Sequence, residues 1–236
     1  MNRENIERLG KRDVVMAGYP GSGAAWLGCV MVNLGIFYLD GYHEILDPSE
    51  LHRTRILKID RRDRLPDYRD RDKLNTSFSE SLRVVKTHLP TVAFGDAPQF
   101  RALVLVRDGR DSLISYYHWL CNFAGLDKQL DEFLRDGQDP ESYAPAQEWA
   151  DFYTGWLQYL DENSTCLVRF EDMRENPVEE VRRFCSFLGV SRSDDSILGA
   201  INECSYTSMR AKESQAVSDS NQESGMIMRR GEVGEW

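Results

Sequence analysis

No apolar run in the chain approaches the roughly 18 residues that a membrane-spanning helix needs, and residues 1–12 are charged throughout. Neither a membrane span nor a secretory leader is expected. Basic residues are in deficit: 29 lysines and arginines face 39 aspartates and glutamates, for a formal net charge of −10. Binding to a polyanion usually shows as a basic surplus, so a nucleic-acid partner is not expected. The 5 cysteines (Cys29, Cys121, Cys166, Cys185 and Cys204) are odd in number, lack Cys-x-x-Cys spacing and stand mostly in apolar contexts. Reduced thiols are expected, with no disulfide framework and no metal site. No Pro/Gly/Ser-rich linker divides the 236 residues, which read as one soluble, cytoplasmic domain over 1–236.

What the chain does contain starts at Val14-Val15-Met16-Ala17-Gly18, an apolar, strand-forming run. It enters the turn Tyr19-Pro20-Gly21-Ser22-Gly23, which opens into a segment whose apolar residues Trp26, Leu27, Val30, Met31 and Leu34 recur at helical spacing. The pattern predicts a strand, a phosphate-sized loop and a helix. Amides of such a loop and of the first helical turn have no intrahelical acceptor and lie at the positive end of the helix dipole, so they suit a phosphate or sulfate. On this stretch alone, a plain glycine-rich strand-to-helix turn fits equally. Gly18 to Gly23 has the glycine spacing of the nucleotide P-loop, Gly-x-x-x-x-Gly-Lys-Ser/Thr, but Ala24 and Ala25 stand where that motif has its lysine and hydroxyl. An ATP or GTP hydrolase or a P-loop kinase is therefore not expected.

The same grammar recurs downstream. Leu82 to Lys86 reads as a short buried strand ending in Thr87-His88-Leu89-Pro90. Ala102 to Val106, flanked by Arg101 and Arg107, reads as a central parallel strand, and a helix carrying Leu113, Ile114, Tyr117 and Leu120 on one face follows Asp108-Gly109-Arg110-Asp111. Further helices are predicted over Leu126–Arg135 and Ala146–Leu160, a third strand over Cys166–Phe170, and a helix from Pro177 to Gly189. Strands alternating with helices imply right-handed crossovers and a three-layer α/β/α sandwich on a central parallel sheet, with ligands at the carboxyl ends of the strands. The region between Glu44 and Ser81 has weak periodicity, which suits a binding lid, and its alternating basic and acidic residues from Arg53 to Lys73 suit a solvated surface.

Four separated stretches together resemble the sulfotransferases that use 3′-phosphoadenosine 5′-phosphosulfate (PAPS), in particular the cytosolic small-molecule branch. Tyr19-Pro20-Gly21-Ser22-Gly23-Ala24-Ala25-Trp26 resembles that family's Tyr-Pro-Lys-Ser-Gly-Thr-Thr-Trp phosphosulfate loop, and Lys86-Thr87-His88-Leu89-Pro90 its Lys-Thr-His-Leu-Pro motif. Arg107 and Ser115 have the spacing of the family's 3′-phosphate motif, and Arg229-Arg230-Gly231 to Gly234-Glu235-Trp236 resembles its Arg-Lys-Gly-x-x-Gly-Asp-Trp ending. Phe170-Glu171-Asp172 and Ser205-Tyr206 with Met209-Arg210 match its Tyr-Glu-Asp and adenine segments more loosely.

The resemblance implies PAPS as co-substrate, 3′-phosphoadenosine 5′-phosphate (PAP) as product, no metal and a small-molecule acceptor. It implies that Gly21, Ser22, Gly23, Ala24, Ala25, Trp26, Arg107, Ser115, Phe170, Tyr206, Arg229, Arg230 and Gly231 hold the donor, and that His88 is the catalytic base. An imidazole suits that role near neutral pH. The chain departs from the pattern at Gly21, where the family has a lysine that contacts the bridging oxygen, at Ala24 and Ala25, which replace threonines, at Phe170, which replaces tyrosine, and at Cys204, which replaces threonine. Some branches of the family also carry glycine at the lysine position. Losing one such contact costs roughly 3 kcal/mol of transition-state stabilisation unless another group substitutes. Lys86 lies two residues before His88 and so on the same side of a strand, which makes it the expected substitute. A PAP-binding protein without turnover is the alternative. Tyr38 to Glu44 combine aromatic rings with Asp40 and Glu44, a composition that suits a polar or cationic acceptor and equally suits solvated carboxylates beside core aromatics.

Overall fold

The computed structural model describes residues 3–7, 9–10, 13–40, 44–46, 56–58, 82–95, 100–138, 144–158, 164–220, 230–234 and 236. Its strands are β1 (Asp13–Gly18), β2 (Phe37–Asp40), β3 (Glu44–Leu46), β4 (Ile56–Lys58), β5 (Arg83–Thr87), β6 (Arg101–Val106) and β7 (Thr165–Arg169). The helices are α1 (Arg3–Glu7), α2 (Ala24–Asn33), α3 (Gly109–Trp119), α4 (Leu130–Asp136), α5 (Pro145–Leu157), α6 (Phe170–Glu175), α7 (Pro177–Leu188), α8 (Asp194–Glu203) and α9 (Tyr206–Ser220).

Five strands form one sheet in the order β2-β5-β1-β6-β7, every pair parallel. Side chains on a strand alternate between faces, and β1 shows what this does to the core. Val14 and Met16 join the apolar cluster that holds Leu27 and Val30 of α2, Phe184 of α7 and Ile197 of α8. Val15 and Ala17 join the opposite cluster, with Leu113 of α3 and Phe152, Tyr153 and Trp156 of α5. Helices thus cover both faces of a sheet whose central strand is apolar on both sides, the expected sandwich. Because β5 and β6 flank β1, the turns after these three strands emerge side by side, and the turn after β7 lies next to them.

Several boundaries differ from the sequence reading. The third strand ends at Arg169, and Phe170 opens α6 instead of closing the strand. The helix predicted from Leu126 begins at Leu130, where Gln129 and Glu132 form a capping box, after a π-helical turn over Leu120–Ala124. Tyr38 to Asp40, read only as an aromatic and acidic stretch, lie in an edge strand, and the region read as irregular contributes the antiparallel pair β3–β4. The alternating charges of Arg53–Lys73 lie outside the described residues except at 56–58.

Candidate active site

The loop between β1 and α2 bends through two glycines in the left-handed region, Gly21 (φ 83°) and Gly23 (φ 95°). Both are also packed too tightly for a side chain: a Cβ at Gly23 would sit 2.6 Å from the Phe170 ring, and one at Gly21 would overlap the Ser112 carbonyl oxygen of α3. Backbone of α3 therefore closes the space that a side chain at position 21 would need. The loop is tied down from outside. Tyr19 N donates to Tyr153 Oη (3.1 Å), Tyr153 Oη donates to Leu105 O of β6 (2.8 Å), and Tyr19 Oη donates to Glu148 (3.1 Å). Burial beside Glu148 pushes the Tyr19 hydroxyl well above its usual range, so it stays a donor.

Arg107, at the end of β6, is the hub of the site. Its Nη1 donates to Gly21 O (3.1 Å) and its Nη2 to Glu232 O (2.8 Å). The guanidinium lies 4.3 Å from the centre of the Phe170 ring and 3.9 Å from the Asp111 carboxylate. Burial lowers its pKa from the arginine value, against the pull of Asp111, Glu171 and Asp108. Asp111 is fully buried and also accepts from Gly234 N (2.9 Å), and Trp236 stacks 3.3 Å over Arg110. One arginine thus joins the loop, α6 and the final segment. Trp26 meets Phe170 edge to face at 5.5 Å, and Tyr206 lies against Gly231. Ser115 is half-buried on α3, with no hydrogen bond to Arg107 among the described residues; Arg230 is exposed, and Arg229 lies outside the described residues.

Two polar atoms in this cluster, Arg107 Nε and Ser112 Oγ, are buried with no hydrogen-bond partner among the described residues, and Ser22 Oγ is buried beside Tyr153. Such groups cost about 1–3 kcal/mol each when left unsatisfied. Together with the first-turn amides of α2 they supply donors of the kind an oxyanion takes, so the residues present fit a phosphosulfate donor.

His88 follows β5. Its Nδ1 lies 2.5 Å from Gly18 O, the last residue of β1. A carbonyl oxygen only accepts, so the proton sits on Nδ1 and the neutral ring carries its lone pair on Nε2. Burial, with Lys86 nearby, pushes the imidazole down to about 3, while Gly18 and Asp40 pull the other way. The residue as a whole is half-buried. Lys86 Nζ lies 3.3 Å from Asp40 Oδ2 across the β2–β5 register, both side chains being largely buried. The lysine expected to replace the missing loop cation therefore carries a carboxylate partner. Asp40 is held in that pair and Tyr38 lies in the core. Gly41, Tyr42 and His43, and the side chain of Glu44, lie outside the described residues.

A model of the sulfotransferase domain matches residues 11–236. The chain belongs to that family, and it is a PAPS-dependent sulfotransferase. It is 26% identical to sulfotransferase 1E1 of Bos taurus over 98% of its own length and 80% of that protein's, and 25% identical to cytosolic sulfotransferase 6 of Arabidopsis thaliana over 95% and 72%. Mouse sulfotransferase SULT7A1, solved in complex with PAP, superimposes with a TM-score of 0.64 at 19% identity, over 99% of this chain and 81% of that one. Retinol dehydratase, solved with androsterone and PAP, gives 0.63 at 19% identity, over 96% and 75%. Among the described residues no helix of this sulfotransferase is long and apolar enough to cross a membrane, and no cluster of His, Cys, Asp and Glu would hold a metal.

Sequence reasoning passed over Asp111, Tyr153 and Glu148. Asp111 is the clearest omission, since it stands in the turn after β6 that was singled out, but its partner Gly234 lies 123 residues away. The signal available was its position in the first turn of a helix, where a carboxylate is ordinarily explained by the dipole alone.

Proposed function

We propose that this sulfotransferase moves the sulfuryl group of PAPS to a hydroxyl or amine of a small molecule, with His88 as general base. His88 Nε2 takes the proton of the acceptor, the acceptor atom attacks sulfur, and the bond from sulfur to the bridging oxygen breaks to release PAP. The loop amides with Ser22 would hold the 5′-phosphosulfate, Arg107 and the segment from Gly231 the 3′-phosphate, and Trp26, Phe170 and Tyr206 the adenine. The observation that supports the reading most is the hydrogen bond from His88 Nδ1 to Gly18 O, which leaves a lone pair on Nε2 next to the turn that follows β1. A cytoplasmic setting accords with the relatives named cytosolic, and a single domain over 1–236 belongs to the same proposal.

A second reading, a protein that holds PAP without turnover, is favoured by the wall that α3 raises against position 21. The two separate in a titration with PAP run beside turnover of labelled PAPS on a panel of amine-bearing, phenolic and anionic acceptors. The enzyme reading expects PAP binding together with label on at least one acceptor. Binding with no labelled product across the panel would support the second reading, and no PAP binding would remove both.

A further inference from the structure

Cys29 on α2 and Cys204 at the end of α8 take no part in the mechanism above, yet their sulfurs lie 2.7 Å apart, 175 residues distant in sequence. Both side chains are fully buried, and Asn33 Nδ2 reaches both sulfurs, Cys204 Sγ at 3.3 Å and Cys29 Sγ at 3.6 Å, while bonding Cys29 O at 2.9 Å. The sulfurs are closer than a non-bonded pair of that size ordinarily sits and need less than about 1 Å of further approach to reach the 2.05 Å of a disulfide. The other thiols are placed differently; Cys166, for instance, faces Arg183 Nη1 at 3.3 Å. The pair spans two parts of the donor site, because α2 begins at the phosphosulfate loop and Cys204 stands two residues before Tyr206.

We infer that Cys29 and Cys204 form a modification site: a dithiol that closes to an intramolecular disulfide on reaction with a small-molecule disulfide such as oxidised glutathione. One cysteine thiolate attacks the glutathione disulfide and expels one glutathione thiolate. The second cysteine thiolate then attacks the mixed disulfide at the protein sulfur and expels the other. The two protein sulfurs are oxidised by two electrons, two molecules of glutathione are formed, and the two protons lost from the cysteines end on them. The hydrogen bond to Cys29, with burial, holds the Cys204 thiol protonated, so closure waits on local opening of the α2–α8 packing and is slow. Once closed, the bond staples α8 and the start of α9 to α2 and removes chain entropy from a long loop.

The test is intact mass and peptide mapping of the native protein after prolonged incubation with oxidised glutathione, followed by acid quench, denaturation and alkylation. The expected product carries three alkyl groups and a link between the Cys29 and Cys204 peptides that dithiothreitol reverses, with a midpoint of thermal unfolding raised by on the order of 5–15 °C. Cys29→Ser should lose both the link and the rise while alkylation of Cys121, Cys166 and Cys185 continues. Five alkylated thiols after oxidation, glutathione left on either cysteine, a link between a different pair, or a link with no rise in the midpoint would each overturn the inference.

Discussion

A histidine whose Nδ1 donates to a main-chain carbonyl has one tautomer, and in His88 that bond accompanies a pKa pushed down to about 3 by burial and by Lys86. Two consequences follow from the sign of that shift. The unfolded chain takes up a proton near pH 6.5 and the folded chain only near 3, so the neutral ring's contribution to stability is full above about 6.5 and is lost as the pH falls toward 3. As the proposed base, His88 also stays deprotonated across the working range, so the profile of kcat/KM should lack an acid limb near pH 6.5. A limb with a midpoint of 6–7 that disappears in His88→Ala would contradict the environment described. At Gly21 the expectation is equally local. Gly21→Ala should cost at least about 1–2 kcal/mol for the left-handed backbone, with more from overlap with Ser112. Gly21→Lys should be destabilised by a similar amount and gain no turnover; a stable Gly21→Lys protein that turns over faster would show that α3 yields. The position of His88 just after a strand was legible in the sequence, whereas the Lys86–Asp40 pair was not, since it depends on which strand lies beside β5.

Elements were legible where the chain is apolar on both faces or strictly periodic. The runs that became β1 and β6 are continuous apolar stretches, β5 is a short apolar core, Val84-Val85, between charged residues, and α7 is bounded by Pro177 and Gly189, the latter in a left-handed cap (φ 75°). β2 and α9 are among the elements that carried no such mark. β2 is four residues at the sheet edge ending in a carboxylate, and α9 runs to Ser220 through a polar stretch with no apolar stripe. How the final segment meets α3 was equally hidden, because it rests on the backbone atoms of Glu232 and Gly234. Asp111 joins these elements, and Asp111→Ala should release them. Hydrogen exchange over residues 230–236 should quicken, and PAP should bind about tenfold more weakly, or about 1.4 kcal/mol. Unchanged exchange in that segment together with unchanged PAP affinity would mean that the Asp111 contact contributes nothing.

At the scale of the whole molecule, strand order does the assembly: β5, β1, β6 and β7 are neighbours, and the turns after them bring His88, the glycine loop, Arg107 and Phe170 to one edge although 82 residues separate His88 from Phe170. A donor bridging these turns should stabilise the fold as a unit. At 100 times its dissociation constant PAP adds about 2.7 kcal/mol, or roughly 5–10 °C in a chain of this size, and the shift should be the same with EDTA present. No shift at millimolar PAP would remove the donor site from this edge of the sheet. The measurement closest to the chemistry is transfer of labelled sulfuryl from saturating PAPS to a reactive acceptor by the wild-type protein and by His88→Ala. The expected result is one PAP released per labelled product in the wild type, and a loss of about two to four orders of magnitude in turnover in the variant with PAP affinity retained. Near wild-type turnover by His88→Ala, or no transfer by the wild-type protein to any acceptor, would contradict the mechanism.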